Sequence, residues 1–223
     1  MNINIISEAK YLKEYWQARN TQMLEDRNIV NLVKTPRTGD KLNWISNEPK
    51  VFYDTAVSLV SAYPPRFRLP MTINPELDEK EKMNKAERFL LGIWRQLDRR
   101  QMDRGMSYWL RELAYWVMSG WYAIFNIVDV RDGETIFIAD HWDAMTVYPE
   151  WDSDGLRKCV RIFEVDRQTA LAMIDDWRLK GLQIEFKEPS RRGNIEIINY
   201  WRKDVQKGKP VISNAIYVAG KEV

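Results

Sequence analysis

Cysteine is almost missing from this sequence: Cys159 stands alone among 223 residues. An intramolecular disulfide framework and a cysteine zinc site are thereby excluded, and synthesis in a reducing compartment fits. Histidine is as scarce, so any Ser-His-Asp or Cys-His pair has to use His141, and no GxSxG nucleophile elbow accompanies it. Neither of the glycine-rich phosphate loops, GxxxxGK(S/T) or GxGxxG, occurs, which removes the simplest ATPase and dehydrogenase readings. No apolar run approaches the roughly 18 residues of a spanning helix, and the start lacks the basic flank and apolar core of a signal peptide. Neither secretion by signal peptide nor a place in a membrane is expected. An excess of one charge is missing too: 34 Lys and Arg against 32 Asp and Glu leave +2, so any contact with nucleic acid should be local. Nothing repeats at a fixed period, which argues against a solenoid or propeller.

What is present is enough apolar material for a core. At 45% hydrophobic, the chain suits one large domain or two small ones. Ten Trp, ten Tyr and seven Phe supply area for that core or for a permanent interface. A long helix, possible break included, is expected from Ser7, as N-cap, to about Val33, followed by a charged loop with Pro36 and Gly39. Asn47 and Pro49 signal a second start, with Phe52, Ala56, Leu59, Val60 and Tyr63 on its inward face. Pro64-Pro65 ends that helix and an extended Arg66–Pro70 follows, because proline disfavours the helical conformation of the residue before it. Helical spacing returns from Leu77 to about Asp98, through Met83, Ala86, Leu90, Ile93 or Trp94, and Leu97. It returns again from Gly105 to Ser119, through Met106, Leu110, Leu113 and Val117, with Gly120 as C-cap.

Beyond Gly120 the period becomes two. Ala123–Val128, an Asp132-Gly133 turn and Thr135–Ile138 read as a hairpin. Further strands are expected near 146–148, 157–164, 194–202 and 211–218, with one helix capped by Asp166, running through Leu171, Ile174 and Trp177, and stopped by Gly181. The fold class is α+β: a mainly helical region 1–120 packed on a mostly antiparallel sheet region 121–223 with an embedded helix.

Few residues point to chemistry. Asp140 and Asp143 flank His141 and could offer oxygen and nitrogen ligands, but neighbours in an extended segment face opposite ways and no cluster completes a zinc shell. Asp152-Ser-Asp-Gly155 hints at a calcium loop, yet Phe163 sits where the bidentate Glu is needed, so it reads as a polar turn. The runs Asp78–Lys82 and Arg99-Arg100 read as a solvated helix face. Basic groups interleaved with apolar ones are the pattern of a nucleic-acid surface. They single out Arg66 and Arg68 around Phe67, then Arg191 and Arg192, with Lys34, Arg37 and Lys41 in the loop as phosphate or partner contacts. No catalytic, cofactor or metal residue is assigned, and no cofactor is expected.

A wider likeness lies in a series of segments: Trp16-Gln-Ala-Arg-Asn-Thr-Gln-Met-Leu-Glu-Asp-Arg27, Trp44-Ile-Ser-Asn-Glu-Pro49, Tyr63-Pro-Pro-Arg-Phe-Arg-Leu-Pro70, Ser119-Gly-Trp-Tyr-Ala123, Trp142-Asp-Ala-Met-Thr-Val-Tyr-Pro-Glu-Trp-Asp152 and Val160-Arg-Ile-Phe163. In this order the chain resembles the N-terminal, wing region of tailed-phage portal proteins. The resemblance implies a structural subunit and not an enzyme. It would form a ring of about twelve copies at one capsid vertex, with heterologous contacts that close on themselves. Implied partners are further copies of itself, capsid protein, terminase and tail adaptors, with DNA passing through the channel. The implied place is the virion, and the host cytoplasm during assembly. Portal subunits continue into stem and clip where this chain stops at Val223, so the expectation is a truncated or partial product. Another head-tail adaptor, a protein-binding module and a metal-dependent nucleic-acid enzyme are the alternatives.

Overall fold

The computed structural model describes residues 4–33, 46–70, 77–131, 133–179, 194–206, 209–219 and 221–222. Helices come first: α1 (Ile5–Tyr15), α2 (Gln17–Val30), α3 (Glu48–Ser61), α4 (Leu77–Asp103) and α5 (Trp109–Met118). A hairpin follows, β1 (Ala123–Arg131) and β2 (Glu134–Trp142), then β3 (Val147–Asp152), β4 (Gly155–Val165), α6 (Arg167–Leu179), β5 (Ile195–Gln206), β6 (Lys209–Val218) and β7 (Lys221–Glu222). This is the expected α+β class. The change from helix to strand falls at Gly120, but the compact units are drawn otherwise. One comprises Met1–Gln22 with Met145–Val223, the other Met23–Ala144.

In the first unit, β3 to β7 form an antiparallel meander in sequential order. Strand β5 is buried on both faces, because Ile195 and Ile197 point one way and Ile198 and Tyr200 the other. Helix α1 covers the second of these faces with Ala9 and Leu12, against Tyr148, Val160 and Ile162. Helix α6 covers the first with Ala170 and Ile174, against Val218 and the half-buried Phe163. Its cap is the expected one: the Asp166 carboxylate accepts from Thr169 N–H at 3.0 Å and from the Thr169 hydroxyl at 2.6 Å. The Trp177 side chain and Gly181 lie outside the described residues. Asp152–Gly155 is a hairpin turn, with Asp154 N–H donating to Asp152 Oδ1 at 2.9 Å.

The first helix starts earlier than its Ser7 signal. Asn4 is the cap, accepting from Ser7 N–H at 3.3 Å, and the helix breaks at Trp16. Residues just past that break secure an edge of the sheet. Strand β3 pairs only with β4, so its outer carbonyls face away from the ladder. Trp16 Nε1–H donates to the Pro149 carbonyl at 2.9 Å, Arg19 to that of Val147 at 2.8 Å and Asn20 to that of Met145, just before the strand, at 2.7 Å. Three side chains thus satisfy three alternate carbonyls, and the Arg19 guanidinium lies 4.7 Å over the Trp16 ring.

In the second unit α4 outruns its expected end at Asp98. Gly105 ends this helix instead of opening the next: it takes φ +70°, and Met106 N–H reaches back to the Gln101 carbonyl at 3.0 Å. Helix α5 begins four residues later, where the Asp98 carboxylate accepts from Trp109 N–H at 2.9 Å. Trp109, on the inner face of α5, donates through Nε1–H to the Ala139 carbonyl of β2 at 2.7 Å and packs with Leu97, Ile93 and Leu113. Met106 and Val117, expected inside, are exposed; Trp109, Ala114 and Trp116 are buried in their stead. Gly120, with φ +92°, follows the last turn as expected.

Helix α3 is rotated from the expected face. Tyr53 and Val57 are 9% and 4% exposed and pack on Ala114, while Phe52 and Leu59 are 73% and 71% exposed, with Val60 and Tyr63 exposed beside them. The physical reason is a tertiary hydrogen bond: the Tyr53 hydroxyl donates to the Tyr115 carbonyl, and the two rings meet edge to face at 5.3 Å. Two apolar stripes were available on this helix, and the one containing Tyr53 is the one whose hydroxyl meets a carbonyl of α5. Among the described residues no helix is long and apolar enough to cross a membrane.

Candidate functional site

The second unit carries a groove of about 920 Å³ between the extended segment after α3 and one face of α4. Its first wall follows from proline. Pro64 and Pro65 hold the chain out of helix, and Pro65 to Pro70 then alternates half-buried with exposed: Pro65, Phe67 and Leu69 turn inward, Arg66 and Arg68 outward. The second wall is a helical stripe, Asn84, Arg88, Leu91 and Arg95, at spacings of four, three and four. Two contacts hold the walls together. The Glu87 carboxylate accepts from Leu69 N–H at 3.0 Å, and the Phe67 ring tilts against Trp94 with centroids 6.2 Å apart.

The result is a trough with basic walls and an apolar floor. Arg66 and Arg68 lie about 7 Å apart along one wall, and Arg88 and Arg95 about 10 Å apart along the other. Among the described residues none of these four guanidiniums has a carboxylate partner. Glu87 is the one carboxylate in the lining, and its Oε1 is engaged by backbone. Guanidinium stays charged at any physiological pH, so these groups can hold a carboxylate or phosphate but cannot exchange protons with it. Tyr63, 81% exposed, is the one tyrosine in the lining.

No protein-family model matches this chain, and no curated protein matches it either.

Of the basic residues singled out by sequence, Arg66 and Arg68 line the groove; Lys34, Arg37, Lys41, Arg191 and Arg192 lie outside the described residues. Arg88 and Arg95 were missed, since on α4 they look like ordinary members of a solvated face. Their common stripe was a visible signal; its proximity to Arg66 and Arg68 was not. The Asp78–Lys82 and Glu81–Lys85 pairs, at 2.5 and 2.7 Å, do form such a solvated face.

Asp140, His141 and Asp143 do not converge. Asp140 sits between Arg104 at 3.0 Å and Arg100 at 3.6 Å, and Asp143 pairs with Arg27 at 3.0 Å, whose guanidinium lies 4.7 Å over Trp116. His141 lies against Trp109, ring centroids 4.6 Å apart. Burial pulls its pKa below the usual histidine range, outweighing the upward pull of Glu112 and Asp140. Burial likewise pushes the Cys159 thiol up to about 11, leaving no thiolate nucleophile at neutral pH.

Proposed function

We propose that this chain is a structural subunit of a portal-type ring at the vertex of a tailed-phage capsid, contributing its wing region and acting without catalysis. The observation that carries the proposal is the outward face of α3. Phe52, Leu59 and Val60 are large, apolar and exposed on one stripe of one helix, and contiguous apolar surface of that kind is characteristic of interaction sites. In a ring this stripe is one half of a heterologous contact, repeated head to tail until it closes. The portal-like order of segments from Trp16 to Phe163 supports the same reading. Partners on this proposal are neighbouring copies, capsid protein, terminase and tail adaptors, with DNA in the channel. The site of action is the virion, reached from the host cytoplasm.

The test is the mass of the native assembly, by light scattering and negative-stain imaging, of this chain and of the product of its uninterrupted reading frame. Closed rings that fall apart on Phe52→Asp or Leu59→Asp support the proposal. Monomers from both products at every concentration would overturn it in favour of a binding module with one defined partner.

A further inference from the structure

We infer that the groove between Tyr63–Pro70 and α4 binds single-stranded nucleic acid, with phosphates on Arg66, Arg68, Arg88 and Arg95 and a base stacked on Tyr63. Each part of the trough has a match in that ligand. The walls supply guanidinium forks, which suit phosphate oxygens bidentately. Among the lining residues are apolar surfaces, Pro64, Pro65 and the Phe67 ring backed by Trp94. An acidic peptide without aromatic residues could use the walls, yet it would leave the apolar floor and Tyr63 unused. A duplex keeps its bases stacked inside, so it would meet the walls alone. A single strand presents phosphates and unstacked bases to the same groove, the combination by which sequence-tolerant single-strand sites work. The small net charge agrees with a local site, since no general basic field is present to hold a duplex.

All of these residues lie on one compact unit of a single chain, so the inference does not depend on ring formation. A monomer that binds and a ring that does not would separate the two proposals.

The test is fluorescence anisotropy of a labelled twelve-nucleotide thymidine oligomer with the full chain across a salt series. Four phosphate contacts on a single strand predict that the logarithm of the affinity falls against the logarithm of salt with a slope of about −3. Arg88→Gln and Arg95→Gln should each make that slope shallower by about 0.7. Tyr63→Ala should weaken binding about 5- to 150-fold and leave the slope alone, with Tyr63→Phe restoring it. These side chains are exposed, so an unchanged circular dichroism spectrum and melting curve separates lost binding from lost folding. No binding at low salt, equal binding of a duplex or of polyglutamate, or no effect of Tyr63→Ala would overturn the inference.

Discussion

Replacing Glu8 by alanine strikes the polar contact that fixes α1 to the sheet. One carboxylate oxygen accepts from Lys158 Nζ and the other from the Tyr200 hydroxyl at 2.8 Å. The side chains of Glu8 and Lys158 are only 17% and 11% exposed, so water cannot readily replace either partner. After truncation Lys158 keeps Glu150 at 3.3 Å, but the Tyr200 hydroxyl loses its acceptor. A charged hydrogen bond contributes about 1.5–3 kcal/mol and an orphaned buried hydroxyl costs about 1–3 kcal/mol, so the expected loss is about 2.5–6 kcal/mol. An exposed ion pair would cost less than about 1 kcal/mol. Urea unfolding followed by tryptophan fluorescence reads the difference. A second arm combines Glu8→Ala with Tyr200→Phe: the double variant should be less destabilised than the sum by at least about 1 kcal/mol, because the two share one bond. A loss below about 1 kcal/mol, or strict additivity, would refute the assignment of this contact as a buried anchor.

The pH dependence of the same contact has a definite sign. Burial pushes the Glu8 pKa up, but the hydrogen bonds from Lys158 and Tyr200 more than offset it, and the net shift is downward. Its stabilisation should be present above the ordinary carboxylate range and be lost as pH falls through the lower folded value, a loss that Glu8→Ala should not show in acid denaturation. His141 acts at higher pH. Its folded pKa is lowered, so the unfolded state binds the proton first, and stability should fall as pH drops below about 6.5 until the folded value is passed; His141→Phe should flatten that window in melting curves. On α3, Tyr53→Phe should cost about 1 kcal/mol by dropping the bond to Tyr115, whereas Phe52→Ser should leave stability within about 0.5 kcal/mol; chemical denaturation in the reverse order would return the stripe that periodicity favoured. Trp16→Phe keeps an aromatic side chain but removes the donor to Pro149 together with part of the ring, and should lower stability by at least about 1 kcal/mol, measurable as a drop in melting temperature.

Local chemistry in the sequence was sufficient for element types and for several of their ends. Asp166 capping α6, Gly120 after α5, Pro64-Pro65 ending α3 and the Asp152–Gly155 hairpin turn are short-range effects, settled by side chains within a few residues of the backbone they act on, while Asp132 of the other expected turn lies outside the described residues. Arg66 and Arg68 around Phe67 were legible for the same reason, since an extended backbone puts alternate residues on opposite sides. Tertiary structure decided whatever required a partner distant in the chain. Periodicity gave α3 two acceptable apolar stripes, and the Tyr115 carbonyl selected the one containing Tyr53. Helical spacing placed Gly105 at the start of a helix, and its positive φ, with Met106 N–H reaching back to Gln101, makes it the end of the one before. Glu87 and Trp94, meeting Leu69 and Phe67, turned two unrelated pairs of arginines into one groove. In each case the residues were visible from the start; their meeting was not, because long-range packing selects among local possibilities that are close in energy.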